Sequence, residues 1–356
     1  MKGREILKIE DISCSFSVGG ARHDAVKDVT LGVREGEILG IVGESGSGKT
    51  TLARMIVGIY TPTKGEIYFK DERIRAGIEW AKREVNEINA RGRVEFLRLL
   101  RALIKPKKEQ AEEIESIRNV NKNLQNRRGE LLEYIETAKD EVGTGRHAHP
   151  RIQMIFQDPT ASLNPRMTVG ETIGEGLIIK GIYEKEEIER RVDEVLLAVG
   201  LSPEYKSRYP SEFSGGQKQR IGIARAIIME PELIIADEPV SALDVSIGAQ
   251  VINLLFDLKE RLGLSIIFIA HDLSVVRHVT DRVAVMYRGR VVELAPTEKV
   301  FDEPKHPYTV SLLSAMPLAD PIREKRRSKL RPPRYTEDPE GSFVEISPDH
   351  FVLTET

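Results

Sequence analysis

Residues 43–50 read G-E-S-G-S-G-K-T, and this stretch decides the fold class that the sequence predicts. It follows an apolar run at 38–42 and precedes a helix-like stretch at 51–60, which gives the order strand, loop, helix. Glycines in the loop let backbone N–H groups point inward beside the positive end of the helix, where they can bind phosphate. The stretch therefore predicts an α/β fold with a phosphate-binding loop. A glycine-rich turn with an incidental lysine is the alternative.

Two polar side chains at the end of this loop favour the phosphate-binding interpretation. Lys49 supplies a mobile positive charge for the β- and γ-phosphates of a nucleotide. The Thr50 hydroxyl is placed to bind Mg²⁺, which prefers oxygen ligands and keeps several of its waters. The cofactors that we predict are therefore ATP and Mg²⁺.

Acidic and imidazole side chains follow two later apolar runs. The run at 233–236 ends in Asp237 and Glu238, and the run at 265–270 ends at His271. Because the carboxyl ends of parallel strands meet at one edge of a sheet, we expect these groups near the phosphate loop. Asp237 can then hold Mg²⁺, Glu238 can polarise an attacking water, and His271 can contact the γ-phosphate. A helix-capping acid pair and a structural histidine are the alternatives.

With these residues in this order, the chain resembles the ATP-binding cassette (ABC) ATPases from about Ile6 to Leu318, with one insertion. Six motifs of that family are intact: the Walker A loop (43–50), the Q-loop glutamine Gln157, the signature motif F-S-G-G-Q (213–217), Walker B (233–238), the D-loop S-A-L-D (241–244) and the switch histidine His271. The signature motif also precedes a helix-like run through Met229, so it predicts a second anion site at a helix N-terminus.

The resemblance implies a role for each matching residue. Glu238 and His271 are the expected catalytic residues. The expected ATP contacts are Phe16, Gly43, Glu44, Ser45, Gly46, Ser47, Gly48, Lys49, Thr50, Thr51 and Gln157. The expected Mg²⁺ ligands are Thr50, Gln157 and Asp237. The signature residues expected to contact ATP of a partner subunit are Ser214, Gly215, Gly216 and Gln217. The D-loop comprises Ser241, Ala242, Leu243 and Asp244. Phe16 would stack on adenine, although a core phenylalanine is the alternative.

Within the family, three stretches are similar to the ATP-binding subunit of oligopeptide/dipeptide importers. They are F-Q-D-P-T-A-S-L-N-P-R-M-T-V at 156–169, D-E-P-V-S-A-L-D-V-S at 237–246 and H-P-Y-T at 306–309. The resemblance implies a subunit that hydrolyses ATP and energises peptide uptake through separate membrane subunits. Import of oligosaccharides or nickel by the same machinery is the alternative.

The resemblance also implies partners and a location. We expect a second, related ABC ATPase subunit (a homodimer is the alternative), two transmembrane permease subunits and an extracellular substrate-binding protein, with no nucleic acid. In the 356 residues, no run approaches the ~18 apolar residues of a membrane span, and the N-terminus lacks an apolar signal segment. The chain is therefore expected to be peripheral, at the cytoplasmic face of the membrane. The net charge of −3 gives no overall nucleic-acid signature.

The cysteine content separates this chain from relatives whose tails hold an iron–sulfur cluster. Cys14 is the one cysteine in the sequence, so an iron–sulfur site, a structural zinc site and an internal disulfide are not expected. The tail from about 322 to 356 is rich in proline and charge, with R-P-P-R at 331–334 and an alternating patch at 343–346. We expect an extended arm over the partner ATPase or over its own core, with disorder as the alternative.

The stretch at 75–149 is too long for the family and predicts an inserted antiparallel helical hairpin. Its apolar residues recur in three- and four-residue steps, at Ala81, Val85, Ile88, Phe96, Leu99 and Leu103 and then at Ile114, Ile117, Leu124, Leu131 and Ile135. Asn121 and Arg128 interrupt the second seam, and K-P-K-K at 105–108 breaks the helix. One interpretation of the insertion is a docking arm for a partner protein, a membrane surface or a regulator; the other is a solvated spur with no role.

Soluble ABC ATPases of DNA repair or translation are the rival hypothesis, because chromosome-maintenance proteins also carry helical insertions. In those proteins the coil separates the Q-loop from the signature motif. Here Gln157 and Ser214 are only 57 positions apart, and the insertion precedes Gln157. A translation-type protein would usually carry two cassettes, and this chain has one.

The expected fold class is an α/β P-loop ABC ATPase core with a mostly parallel sheet, an N-terminal antiparallel β-subdomain, a helical subdomain and the inserted hairpin. The expected divisions are the β-subdomain and Walker A part (1–74), the insertion (75–149), the Q-loop region (150–160), the helical subdomain (161–213), the signature, Walker B and switch-histidine part (214–300) and a C-terminal extension of the importer type (301–356).

Overall fold

The computed structural model describes residues 3–102, 107–142, 149–315, 335 and 341–354. Two sheets and three groups of helices make up this part of the chain. The strands are β1 (Glu5–Val18), β2 (Ala21–Arg34), β3 (Ile38–Val42), β4 (Lys64–Phe69), β5 (Glu72–Ala76), β6 (Ile152–Ile155), β7 (Leu233–Asp237), β8 (Ser265–Ile269), β9 (Arg282–Tyr287), β10 (Arg290–Pro296), β11 (Ser342–Ser347) and β12 (His350–Thr354).

The helices of the described part are α1 (Lys49–Val57), α2 (Glu79–Ala102), α3 (Lys107–Val142), α4 (Pro159–Ser162), α5 (Val169–Ile179), α6 (Lys185–Ala198), α7 (Gly215–Ile227), α8 (Val245–Leu262), α9 (Leu273–Val279), α10 (Thr297–Asp302) and α11 (Pro307–Ser314). Short 3₁₀ helices lie at Pro203–Ser207 and Pro210–Glu212. None of the helices in the described ranges is long and apolar enough to cross a membrane.

The larger sheet has eight strands in the order β11-β12-β10-β9-β3-β8-β7-β6. Strands β9, β3, β8, β7 and β6 run parallel, and the other pairs are antiparallel. All five residues of β3 are buried because the sheet is covered on both faces: Leu39 and Ile41 pack in one core cluster, Ile38 and Val42 in the other. This arrangement confirms the predicted α/β class with a mostly parallel core sheet.

The smaller sheet is antiparallel, in the order β2-β1-β4-β5, and it packs across α1 onto the core sheet. Leu52, Met55 and Ile56 of α1 are fully buried between the two sheets. The apolar pattern predicted that this helix extends to about Tyr60, but it ends at Val57. Gly58 closes the last turn in a left-handed conformation with φ of 90°. A residue with a side chain adopts this conformation only with strain.

A separate apolar core holds the helices between β6 and α7. Ile173 and Leu177 of α5 and Leu196 of α6 are fully buried against α7 and α8. The Thr168 hydroxyl and Glu171 form a capping box that fixes the start of α5. These helices occupy the stretch for which we predicted a helical subdomain.

Helices α2 and α3 pack against each other as the hairpin predicted for the insertion. Ala81, Val85 and Ile88 of α2 meet Leu131 and Ile135 of α3, and Trp80 contacts Tyr134 with ring centroids 5.5 Å apart. Leu103 of the predicted seam and the Lys105-Pro106 break lie outside the described residues.

The assignment of Phe96 to the hairpin seam was wrong. The Phe96 side chain is 57% exposed, whereas Leu99 is half-buried and Ala102 is fully buried. The reason is the helix period: seven residues after Ile88, the inward position belongs to Glu95, so the next residue turns away from α3. The apolar spacing alone did not distinguish the two faces of this part of α2.

The C-terminal strands add to the core sheet of their own chain. Strand β12 pairs with β10, and β11 pairs with β12. The fully buried carboxylate of Glu293 in β10 accepts from His350 Nε2 at 2.7 Å and from the backbone N–H groups of Lys305 and His306 at 2.9 Å. Of the two positions predicted for the tail, residues 342–354 therefore take the one over their own core. The R-P-P-R segment lies outside the described residues.

Candidate functional site

The Walker A loop connects β3 to α1 and approaches two neighbouring strands very closely. Gly43 has φ of 151°, and a Cβ at this position would lie 2.1 Å from the Met286 carbonyl oxygen in β9. Gly48 has φ of 105°, and a Cβ there would lie 2.5 Å from the Ala25 carbonyl oxygen in β2. Both positions therefore require glycine, and the loop can curl over the N-terminus of α1 with its amide groups inward.

Lys49 crosses the inside of this loop. Its Nζ donates to the carbonyl oxygens of Gly43 and Glu44, both at 2.8 Å, and to Ser47 Oγ at 3.3 Å. Only 5% of the residue is exposed, and this burial lowers the pKa of the ammonium group, while the nearby carboxylates of Glu238, Asp237 and Glu44 act in the opposite direction. A buried cation held by neutral carbonyl oxygens gains strongly from an incoming phosphate.

Thr50 and Asp237 meet at the carboxyl edge of the core sheet. Thr50 Oγ1 donates to Asp237 Oδ1 at 3.1 Å. Burial raises the pKa of the Asp237 carboxyl, and the bond from Thr50 opposes that rise. A hydroxyl and a carboxylate in contact are the oxygen donors that Mg²⁺ prefers, so these residues fit the predicted metal. Gln157 contacts Glu238 instead, and its role as a third metal ligand stays a prediction.

Two predicted site residues converge on one carboxylate oxygen of a third. Glu238 Oε2 lies 3.0 Å from Gln157 Nε2 and 3.0 Å from His271 Nδ1. Each of the three residues lies within two residues of the carboxyl end of a strand: Gln157 after β6, Glu238 after β7 and His271 after β8. Because these strands are parallel neighbours, the three side chains lie at one edge of the sheet. Two hydrogen bonds to the same oxygen hold the carboxylate in one orientation.

The backbone at Glu238 is strained. Its φ is 46°, in the left-handed region that non-glycine residues rarely adopt, at a cost of about 1–3 kcal/mol. The Glu238 N–H donates to the Ile269 carbonyl at 2.9 Å, and its own carbonyl accepts from the Ser241 N–H and hydroxyl at 3.2 and 3.1 Å. These bonds maintain the strained turn and aim the side chain outward from the strand end. Strain of this kind is concentrated at functional sites.

The signature motif forms the capped N-terminus of α7. Ser214 Oγ accepts from the Gln217 N–H at 3.4 Å, and Gln217 Oε1 accepts from the Ser214 N–H at 3.0 Å. A Cβ on Gly216 would lie 2.4 Å from Ile247 Cγ2, so any side chain at this position would force Ile247 of α8 to shift. Ser214 and Gly215 remain exposed at the surface.

The D-loop lies between Walker B and α8. Asp244 caps α8 by accepting from the Ile247 N–H at 2.9 Å and from the Ser246 hydroxyl at 2.7 Å, and these bonds lower the pKa of its carboxyl. Leu243 lies beside the signature helix, since a Cβ on Gly215 would be 3.3 Å from Leu243 Cδ2, while Ser241 and Ala242 are exposed. The D-loop and the signature motif therefore share one surface of the chain.

The structure places Phe16 on β1, opposite His23 of β2. Its ring contacts Tyr60 with centroids 5.2 Å apart. Ala25, which approaches Gly48 of the Walker A loop, is two residues from His23, so this end of the small sheet borders the loop. Adenine stacking on Phe16 stays a prediction.

Sequence reasoning missed a tyrosine that contacts the Walker A loop. The Tyr308 hydroxyl accepts from the Glu44 N–H at 3.1 Å, and its ring stacks on Tyr287 with centroids 4.1 Å apart. Tyr287, Arg288 and Tyr335 border a cavity of about 240 Å³ beside the loop. Tyr308 belongs to the H-P-Y-T stretch, which marked the sub-family in the sequence but carried no chemical prediction.

Replacing Tyr308 with Phe should weaken ATP binding about fivefold, because the lost bond of ~1 kcal/mol no longer fixes the Glu44 amide. The phenylalanine ring keeps the stacking on Tyr287, so the unfolding temperature should change little. Isothermal titration calorimetry with ATP would measure the effect. Tyr183→Phe is the matched control, since Tyr183 is 75% exposed. Equal affinity of the two variants would show that this contact does not support the loop.

The matches to family models cover both the site and the C-terminal region. The ABC transporter model matches residues 26–126 and 98–241, and the model of the oligopeptide/dipeptide transporter C-terminal region matches 292–343. The fold and the convergent site define a cassette ATPase. The chain belongs to the ABC transporter family, and its C-terminal region to the oligopeptide/dipeptide transporter type. The predicted family is thereby confirmed.

Similar proteins are known over nearly the full length. The oligopeptide transport ATP-binding protein AmiF of Streptococcus pneumoniae is 42% identical over 98% of this chain and 94% of its own. The oligopeptide transport ATP-binding protein OppF of Bacillus subtilis is 42% identical over 98% of this chain and 96% of its own. A solved dimeric ATP-binding cassette in a post-hydrolysis state, bound to ADP and Pi, superposes with a TM-score of 0.56 at 25% identity, covering 82% of this chain and 98% of that one.

Proposed function

We infer that the chain is the ATP-hydrolysing subunit of an ABC importer that takes up oligopeptides or dipeptides through separate membrane subunits. The observation that carries this inference is the convergence of Gln157 and His271 on Glu238 Oε2, each at 3.0 Å, beside the Walker A loop. The transport class comes from the two relatives and from the C-terminal family match.

In this proposal the chain's own groups divide the work of hydrolysis. The Walker A amides and Lys49 bind the β- and γ-phosphates, and Glu238 accepts a hydrogen bond from the attacking water. His271 contacts the γ-phosphate, and Gln157 reports its presence to the helical subdomain. Bound Mg²⁺, held by Thr50, Asp237 and Gln157, would neutralise charge that develops on the phosphates.

A second cassette completes the site in this proposal. Ser214 and Gly215 are exposed at the N-terminus of α7, and Val245 beside the D-loop is 92% exposed. An accessible helix N-terminus next to an exposed apolar residue suits an interface that binds phosphate. We propose that each signature motif contacts ATP held by the Walker A loop of a second, related ATPase subunit, with a homodimer as the alternative.

The coupling of hydrolysis to transport runs through the segment after the Q-loop. Arg225 of α7 donates to the Ser162 carbonyl at 2.7 Å and lies over the Phe156 ring, so the signature helix is tied to residues on both sides of Gln157. We propose that residues 162–168 and the helices after them form the groove for a permease. Ile179 and Tyr183 in this region are 77% and 75% exposed.

The other transport and non-transport hypotheses receive less support. The relatives are named for oligopeptide transport, which does not favour oligosaccharides or nickel as cargo. The helical insertion precedes Gln157, unlike the coil of chromosome-maintenance ATPases, and the family matches are to transporters. We therefore place the chain at the cytoplasmic face of the membrane, peripheral to two permeases that work with an extracellular binding protein.

Affinity purification of the tagged chain from mildly solubilised native membranes would test the proposal. Two polytopic membrane proteins and a related ATPase should co-purify, and mass spectrometry would identify them. A chain carrying Glu298→Gln, at a site 76% exposed in its ion pair with Arg277, is the control for non-specific capture or loss. Recovery without membrane proteins, or with nucleic acid, would contradict the transporter assignment. Peptides bound to a co-purified binding protein would define the cargo.

A further inference from the structure

The far end of the helical hairpin carries a group of exposed apolar side chains. We call this the tip face: Val94, Phe96, Leu97 and Leu100 of α2 and Val120 of α3, which are 62%, 57%, 57%, 44% and 37% exposed. Such residues are usually scattered singly on a surface. Here four of them fall within two turns of one helix.

The hairpin cannot bury the tip face against itself. At 100° per residue, Phe96, Leu97 and Leu100 lie within about 100° of one another on α2. On this part of α2 the less exposed side carries Leu99, which is half-buried, and Ala102, which is fully buried, and α3 contributes the fully buried Ile117. The tip face therefore points away from the partner helix, and the described residues offer no cover for it.

Basic side chains surround these apolar residues. Arg91, Arg93, Arg98 and Arg101 are exposed on the same end of α2. Arg98 lies 3.7 Å from Glu95 of α2 and 3.7 Å from Glu113 of α3, so Arg91, Arg93 and Arg101 account for most of the excess positive charge. This stretch of helix is strongly positive, although the whole chain has a net charge of −3. Long arginine side chains can lay their stems along an apolar surface and keep the guanidinium group at a polar boundary.

We propose that the tip face docks onto an anionic lipid surface. An apolar helix face with large side chains, flanked by arginines, matches the chemistry of a helix that lies in the interface of a bilayer. A protein partner would need an acidic, apolar groove of matching shape, whereas an anionic membrane supplies negative charge and an apolar layer without such a fit. The tip face is thus a second membrane contact, distinct from the contact with a permease.

The length of the hairpin suits this role. The 24 residues of α2 extend about 36 Å, so residues 94–100 lie about 22–32 Å along the helix from its start at Glu79. The inference rests on the proposed function to the extent that a transporter brings the chain close to a membrane. Lipid binding itself requires no permease and no ATP, so it can be tested separately.

Vesicle flotation with the purified full-length protein would test the proposal. We expect at least about tenfold more binding to vesicles that contain phosphatidylglycerol than to pure phosphatidylcholine vesicles, since each arginine near an anionic surface contributes about fivefold. The excess should fall as salt is raised from 0.05 to 0.5 M, because salt screens exposed charges at about these concentrations. The triple variant Phe96→Ser, Leu97→Ser, Leu100→Ser should bind at least about tenfold less at every salt concentration.

A matched variant separates this face from apolar exposure in general. Leu262→Ser with Ile346→Ser removes exposed apolar side chains from α8 and β11, away from the tip face and the proposed permease groove, and should leave vesicle binding unchanged. ATP hydrolysis, measured on the same samples, should be equal in the parent and the tip variant. If the parent protein does not hydrolyse ATP, that result contradicts the proposed function and leaves the lipid proposal unaffected.

Two outcomes would overturn the lipid proposal. The first is equal binding to neutral and anionic vesicles, and the second is vesicle binding by the tip variant equal to that of the parent. If, in the second case, the tip variant also loses permease co-purification, the tip face binds a protein partner instead.

Discussion

Replacing Glu238 with Gln should reduce ATP turnover at least about a hundredfold while ATP still binds. Glutamine has nearly the same shape and keeps an oxygen for His271, but it cannot accept a proton or polarise water as a carboxylate does. Glu238 occupies a strained turn with φ of 46°, and Gln157 and His271 both contact its Oε2 atom. We therefore expect the charge of this side chain, rather than its volume, to determine the rate of ATP turnover. Phosphate release and ATP titration calorimetry would measure the two effects.

The decisive comparison for Glu238 is between turnover and binding. An ATP dissociation constant within about twofold of the parent would show that the variant is folded and competent to bind. Glu298→Gln is the control for a change of charge alone, because Glu298 is 76% exposed and distant in sequence from the site. If Glu238→Gln hydrolyses ATP at the parental rate, Glu238 is not the group that polarises the attacking water.

Lys49→Ala should weaken ATP binding by about 10- to 100-fold, corresponding to ~1.5–3 kcal/mol for lost charged hydrogen bonds. The ammonium group is buried and donates to the carbonyl oxygens of Gly43 and Glu44. Its removal takes away both the charge for the phosphates and the cross-link inside the loop. Calorimetric titration with ATP would measure the loss of affinity, and turnover should fall with it.

The two contributions of Lys49 can be separated. Lys49→Arg keeps a positive charge but has a planar fork that suits the loop carbonyls poorly, so it should recover only part of the affinity. Lys185→Ala is the control, since its side chain is 83% exposed on α6. Unchanged ATP affinity in Lys49→Ala would contradict the assignment of the phosphate site.

Much of the core could be predicted because its signals are local. The apolar run at 38–42 corresponds residue for residue to β3, and the runs at 233–236 and 265–270 differ from β7 and β8 by one residue at the carboxyl end. Buried parallel strands are continuous apolar segments that end where polar site residues begin. The order of the motifs then indicated the family, which the full-length matches confirmed.

Prediction from the sequence was less successful where the local pattern is compatible with two positions in the fold. Phe96 has the spacing of a seam residue, yet the phase of α2 places it on the outside. The alternating patch at 343–346 was compatible with an extended arm over a partner or over the chain's own core. Strand β12 decides for the core sheet, because Glu293 buried in β10 holds His350.

The sequence by itself determined the phosphate loop, the acids and histidine at the strand ends, the helix that follows the signature motif and the existence of a helical insertion. Each of these depends on residues close together in the chain. Only the tertiary structure decided that Gln157 and His271 share one oxygen of Glu238, and that Tyr308 supports Glu44. These contacts join residues up to 264 positions apart, and their geometry follows from sheet order and packing, which no local pattern encodes.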